Sequence, residues 1–199
     1  PIITKLVRQR SSSILAASYT EVSGRDGVKN DKGRRRRRLC IRDRPCDGRR
    51  SLRVGFLSAD FRYHPVGRMA SALWQNLDRA SVTPIVYDNS ASDSSAKCEY
   101  HELVAEWHDI AALPDDAVAE RIRVDQLDVL IDLSGHTSGN RLAVLAQKPA
   151  PVQVTLFAYP NTTGLSAVEW RITHTLAAPP RPEAPDRPPL FRAAVGGLL

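Results

Sequence analysis

The chain has no apolar run approaching the roughly 18 residues of a membrane span. The short apolar patch Ile14 to Ala17 is too brief for an export signal. A cytoplasmic protein with no membrane partner is therefore expected. Cysteine is scarce: Cys40, Cys46 and Cys98 form an odd set with no CxxC pair and no Cys/His spacing suited to zinc. Free thiols in a reducing compartment are expected in preference to a Cys40–Cys46 disulfide. The Gly-rich dinucleotide fingerprint, the Walker A loop and the GxSxG elbow are all missing. Ser58 or Ser134 can be combined on paper with a histidine and Asp60 or Asp132, but without the elbow a hydrolase triad has no support. No internal repeat with a period of 20 to 50 residues is present.

What is there divides sharply along the chain. Residues 1–50 carry 15 Lys/Arg against 5 Asp/Glu, a net of +10, and the remainder carries 13 against 17, a net of −4. The basic segment holds Ser11-Ser12-Ser13, several glycines and the run Arg34 to Arg38. It has too little apolar periodicity to offset the entropy of ordering, so a disordered segment is expected over 1–50. The arginines suit a solvated tail; with no aromatic interleaving and no nucleic-acid motif, a nucleic-acid partner is not expected.

From Ser51 the pattern becomes that of a layered domain. Leu52 to Ser58 reads as a short buried strand, and His64-Pro65 opens a helix with proline at its first position. Val66, Met69, Ala70, Leu73, Trp74 and Leu77 give that helix one core-facing stripe. Val82 to Tyr87 is a second strand, and Ala96, Tyr100, Leu103, Val104 and Trp107 mark a second helix. His101 and His108 fall on this helix-like stretch, at its surface or edge. Pro114-Asp115-Asp116 starts a third helix, with acidic groups at the positive end of its dipole. Leu127 to Leu133 is apolar on both faces, as a parallel sheet covered by helices requires. A short helix around Leu142 to Ala146, a strand from Val152 to Ala158 and a last strand at Arg171-Ile172-Thr173 complete the alternation. The fold class is α/β with a mainly parallel sheet over residues 51–177. Prolines at 179, 180, 182, 185, 188 and 189 predict an extended or disordered tail over 178–199.

In an open parallel sheet, ligands bind outside the carboxyl ends of the strands. Three polar loops fall there: Ser58 to Pro65, Ser134 to Asn140, and Tyr159 to Gly164. His64 sits at a helix start, where the dipole disfavours an added positive charge. It can accept a proton, hydrogen-bond a phosphate-bearing substrate, or simply cap the helix. His136 and Thr137 lie just past the central strand, where Ser134, Thr137 and Asn140 serve equally as turn and capping residues. Tyr159 to Gly164 alone predicts a tight turn. His174 has no evident partner.

Four segments together resemble a known family. They are "LRVGFLSADFRYHP" (Leu52 to Pro65), "DVLIDLSGHTSGNRL" (Asp128 to Leu142), "KPAPVQVTLFAYPNTTGL" (Lys148 to Leu165) and "VEWRIT" (Val168 to Thr173). Their order and spacing over about 125 residues are similar to the catalytic region of the O-GlcNAc transferase and SPINDLY family, glycosyltransferase family 41. The resemblance implies a Rossmann-like N-terminal lobe of an inverting, metal-independent GT-B glycosyltransferase. No cofactor is expected; the co-substrate is a nucleotide sugar, UDP-GlcNAc or, for a SPINDLY-like enzyme, GDP-fucose. The acceptor is a Ser or Thr hydroxyl of a protein. By motif, His64 matches the active-site histidine beside the sugar and diphosphate, as base or positioning group. His136 and Thr137, with Tyr159, Pro160, Thr162, Thr163 and Gly164, match loops lining the cleft between lobes.

The family usually carries tetratricopeptide repeats upstream and a nucleotide-binding second lobe downstream. Neither is visible, and His174 stands where an acid is expected, so little turnover by this chain alone is anticipated. Two other readings compete: a non-catalytic binding module whose arginine-rich segment contacts nucleic acid, and an unrelated Rossmann-like hydrolase.

Overall fold

The computed structural model describes residues 50–91, 95–156, 159, 161–174 and 190–193, with the backbone alone for Ser95, Ala96, His174 and 190–193. The chain divides into two units between Arg50 and Ser51, and the architecture below is that of the second. Expectations for Cys40, Cys46, Arg34 to Arg38, Pro160 and most of the two ends lie outside the described residues.

Among the described residues, seven strands and four helices follow in the order β1 (Leu52–Ser58), α1 (Pro65–Gln75), β2 (Val82–Asp88), α2 (Ser95–His101), β3 (Glu106–Asp109), α3 (Asp115–Val124), β4 (Val129–Asp132), α4 (Leu142–Ala146), β5 (Gln153–Leu156), β6 (Trp170–His174) and β7 (Leu190–Ala193). The sheet runs β3-β2-β1-β4-β5-β6-β7, and every neighbouring pair is parallel. This is the doubly wound α/β arrangement expected from the alternation. Chain order reverses at β1, which has β2 on one side and β4 on the other. The connections leaving β1 and β4 diverge there and open a crevice at their carboxyl ends.

Residues alternate across β1 with the period of two that a strand imposes. Leu57 faces a cluster with Ile85, Ile110, Val118, Ile122, Leu130 and Leu145, which α3 and α4 cover. Val54 and Phe56 are also fully buried, and Phe56 meets an aromatic group centred on Trp74 of α1. The ring of Trp74 lies 5.7 Å from Phe56, 5.5 Å from Phe61, 6.0 Å from Tyr100 and 6.5 Å from Trp107. Edge-to-face pairs of this kind add to the area each ring removes from water. Phe61 belongs to the loop after β1, so the same aromatic group anchors the candidate site.

Three expectations are corrected. The apolar spacing from Ala96 to Trp107 suggests one helix, but α2 stops at His101 and Glu106–Asp109 forms the edge strand β3. Trp107 serves both periods because Trp74, Phe61 and His101 all reach its ring. Met69 leaves the core stripe of α1 and is 46% exposed. Finally, the tail from 178 to 199 contains strand β7, paired along β6. The prolines end at Pro189, so Leu190–Ala193 keeps every N–H that a ladder needs.

Helix α1 fits tightly onto the loop before it. A Cβ added at Gly67 would lie 2.6 Å from the Arg62 carbonyl oxygen and 3.0 Å from that of Asp60. Alanine is a better helix former than glycine by about 1 kcal/mol. Forcing backbone atoms apart typically costs about 1–3 kcal/mol, and neither oxygen belongs to a side chain that can swing away. Gly67→Ala is therefore expected to destabilise the domain by up to about 2 kcal/mol in denaturant unfolding; a stabilised variant would show that the loop yields freely.

Candidate functional site

Strands β1 to β4 end the same way. Each last residue is a serine or aspartate whose side chain accepts the backbone N–H two residues on. Ser58 Oγ accepts Asp60 N at 3.1 Å, and Asp88 Oδ1 accepts Ser90 N at 2.8 Å. Asp109 Oδ1 accepts Ala111 N at 3.1 Å, and Asp132 Oδ1 accepts Ser134 N at 3.1 Å. These bonds mimic a backbone turn and tip each chain sharply out of the sheet. Ser58, Asp88 and Asp132 are buried to within 1%, so the turns are shaped by groups shielded from water.

Asp132 carries the most contacts. Its second oxygen accepts Gly135 N at 2.9 Å and the Thr155 hydroxyl at 3.2 Å. Burial nevertheless pushes its carboxyl above the ordinary range, against the pull of these bonds and of His136. The turn also requires Gly135: its φ is +55°, and a Cβ there would meet Tyr159 Cβ at 2.4 Å. Asp88 is balanced by Lys97, whose Nζ lies 2.7 Å from Oδ2.

The loops these turns generate enclose a cleft of about 810 Å³. Its walls come from the loop after β1 (Ala59, Asp60, Arg62, His64), the start of α1 (Pro65, Val66, Met69), the loop after β2 (Asn89, Ser90, Ala91) and the loop after β4 (Thr137, Ser138, Gly139). His64 caps α1: its Nδ1 accepts Val66 N at 3.3 Å. In the neutral ring the proton then resides on Nε2, which is left as a donor. Asp60 pairs with Arg62 at 3.2 Å and has an oxygen 3.9 Å from His64 Nδ1.

The candidate residues separate into two neighbouring groups. His64 and Thr137 share the cleft. His136, Tyr159 and Thr163 form a brace beside it: His136 Nε2 lies 3.0 Å from the Thr163 carbonyl oxygen, and its ring meets Tyr159 edge-on at 5.0 Å. Thr162 accepts Gly164 N within its own turn at 3.2 Å. The brace residues are absent from the cleft wall, because His136 spends its donor on holding the third loop against the second. Sequence reasoning overlooked the loop after β2. Its signal was present, since Asp88-Asn89-Ser90 follows a parallel strand at the same rim.

A second polar cluster lies at the edge strand, where Glu106, His108 and Asp125 place ligand-type atoms within 4.8 Å of one another. Two guanidiniums already neutralise it. Arg53 bonds Glu106 at 2.9 Å, and Arg121 bonds Asp125 at 3.1 Å and lies 3.2 Å from His108 Nδ1. The Tyr87 hydroxyl donates to Asp125 at 2.7 Å; burial, and then that bond, drives its phenol upward. This is a structural network filled by internal cations.

The sequence profile of glycosyl transferase family 41 matches residues 40–184. The chain belongs to this family. Among relatives, it is 36% identical over 138 residues to a protein named probable UDP-N-acetylglucosamine–peptide N-acetylglucosaminyltransferase SPINDLY of Arabidopsis thaliana, covering 67% of this chain and 15% of that protein. It is 31% identical over 132 residues to the UDP-N-acetylglucosamine–peptide N-acetylglucosaminyltransferase of Caenorhabditis elegans, covering 65% and 12%. A mutant of the Thermobaculum terrenum O-GlcNAc transferase superposes with a TM-score of 0.65 at 35% identity, over 67% of this chain and 26% of that one. The family-41 chain thus spans about 15% of the length of its SPINDLY relatives.

The raised carboxyl of Asp132 has a consequence for stability. A folded-state pKa above the unfolded value, 3.8 for an ordinary aspartate, means that the folded form holds its proton longer. Stability contributed at low pH is then lost as pH rises above about 4. Asp132→Asn cannot ionise, so its melting temperature should gain on the native protein's as pH is raised from about 4. A constant difference across that range would contradict the assignment.

Proposed function

We propose that the rim cleft forms one side of the centre of a protein O-glycosyltransferase. In this proposal UDP-GlcNAc is the donor, a Ser or Thr hydroxyl of a protein is the acceptor, and no metal or cofactor takes part. The relatives' names and the shared motifs support the donor class. The observation that carries the reading is the placement of His64, fixed at the head of α1 among the residues that line the cleft.

In such a transfer the acceptor oxygen bonds to the anomeric carbon as the bond from that carbon to the diphosphate oxygen breaks. The acceptor proton leaves for a base, and negative charge accumulates on the diphosphate. With Nδ1 committed to Val66 N, His64 acts through Nε2–H as a donor to a sugar or diphosphate oxygen. This favours a positioning and charge-stabilising role over that of general base. Thr137 keeps its hydroxyl oxygen as an acceptor in the cleft, because its proton goes to the Ser134 carbonyl at 2.7 Å. No helix among the described residues is long and apolar enough to cross a membrane, consistent with soluble acceptors in the proposed cytoplasmic setting.

Two substitutions separate the roles of His64. Alanine removes both the cap and the donor, whereas asparagine is itself a good cap. His64→Ala should lose about 0.5–2 kcal/mol of stability, the usual range for a lost cap, together with donor affinity. His64→Asn should keep native stability yet bind UDP-GlcNAc about tenfold or more weakly, one charge-assisted hydrogen bond's worth. Calorimetric titration with UDP-GlcNAc and GDP-fucose in parallel also identifies the donor. Native affinity in His64→Asn would remove His64 from the site.

A further inference from the structure

At the start of the loop after β2, the Asn89 side chain and the Asn89 and Ser90 N–H groups are held. Asn89 N donates to the Ser58 carbonyl at 2.8 Å. The Asn89 amide donates to the Gly139 carbonyl at 2.8 Å and accepts from Arg141 Nε at 2.9 Å. Arg141 is itself fixed by Asp115 at 2.6 Å and by the Ile110 carbonyl at 3.1 Å. Ser90 N is bound to Asp88. The Ser90 hydroxyl, in contrast, has no hydrogen-bond partner among the described residues, although Ser90 is only 4% exposed. A buried hydroxyl without a partner is unfavourable and uncommon. Ser90 also lines the cleft; its Oγ is shielded from water in this conformation, so a turn about χ1 has to present it to a bound molecule that supplies the missing partner.

The lining indicates what that molecule offers. Its charged groups are Asp60 and Arg62, which neutralise one another, and His64 adds a ring nitrogen for hydrogen bonding. A diphosphate would want a clear excess of positive charge. Pro65, Val66 and Met69 present apolar surface from α1, while Asn89, Ser90 and Thr137 present hydrogen-bonding groups from the loops. Apolar contact together with neutral hydroxyls and amides suits a pyranose ring, which carries both C–H faces and hydroxyl edges.

We propose that Ser90 is a sugar-binding residue, its Oγ hydrogen-bonding a hydroxyl or acetamido group of the donor's sugar, with Asn89 and Arg141 as the positioning residues that set the loop. The proposal rests on the reading of the cleft as a nucleotide-sugar site.

The test compares native chain and Ser90→Ala in thermal melts and in calorimetric titrations with UDP-GlcNAc and UDP. The expected result is an unchanged or higher melting temperature, about tenfold weaker UDP-GlcNAc binding, and unaltered UDP binding. A lower melting temperature with native affinity would show that the hydroxyl serves the fold and would overturn the proposal. Equal affinity of both proteins for UDP-GlcNAc would also overturn it while leaving the cleft's role intact. Failure of the native chain to bind either compound would sink the proposal together with the reading beneath it.

Discussion

The site depends on one repeated interaction: a side-chain oxygen at the end of each of the strands β1 to β4, buried in all but Asp109, accepting a backbone N–H two residues later. A parallel sheet sends its chain out at the carboxyl edge, where the ladder ends and backbone donors lose their partners. Ser58, Asp88, Asp109 and Asp132 take up those donors and turn the chain at once. The loops therefore rise steeply instead of trailing over the sheet. Because chain order reverses at β1, the steep loops stand on both sides of a crevice. Replacing these residues by apolar ones would leave the strands intact and collapse the walls.

This arrangement places three uncomfortable groups of the domain at one rim. Asp132 is a carboxylate in a dry setting, Ser90 is a hydroxyl without a partner, and Met69 is an exposed apolar side chain. Elsewhere most charged groups are matched, Arg53 and Arg121 answering Glu106 and Asp125 and Lys148 answering Glu169 at 2.9 Å, while Trp74 Nε1 and Gln153 Oε1 are also buried without a partner. Unmet groups of this kind at a cleft are what functional sites show when binding, not folding, completes their contacts.

Much of this was legible from residue order alone. The apolar runs at Leu52 to Ser58 and Leu127 to Leu133 could only be strands of a covered parallel sheet, and Pro65 marked the start of α1. The polar loops at their ends located two of the cleft's walls. What failed did so for identifiable reasons. Trp107 continued a helical period by chance of spacing, because its ring belongs to an aromatic group assembled from Phe61, Trp74 and His101 across the fold. Met69 looked like core because periodicity cannot tell a buried face from one that opens on a cleft. A motif also does not reveal that His136 Nε2 lies 3.0 Å from the Thr163 carbonyl oxygen. The wall at Asn89 and Ser90 went unnoticed because it lacks a histidine to draw attention. It is fixed by Arg141, some fifty residues away in sequence, a distance no local pattern bridges.

The claim on which the account stands is that a nucleotide sugar enters at this rim and nowhere else on the domain. Backbone amide spectra of the chain titrated with UDP-GlcNAc test it most directly. The account predicts the largest shifts in residues 59–66, 89–91 and 137–139, with little change at the opposite ends of the strands, near Ser81 and Asp128. Shifts concentrated at that opposite edge, or around Glu106 and Asp125, would contradict it.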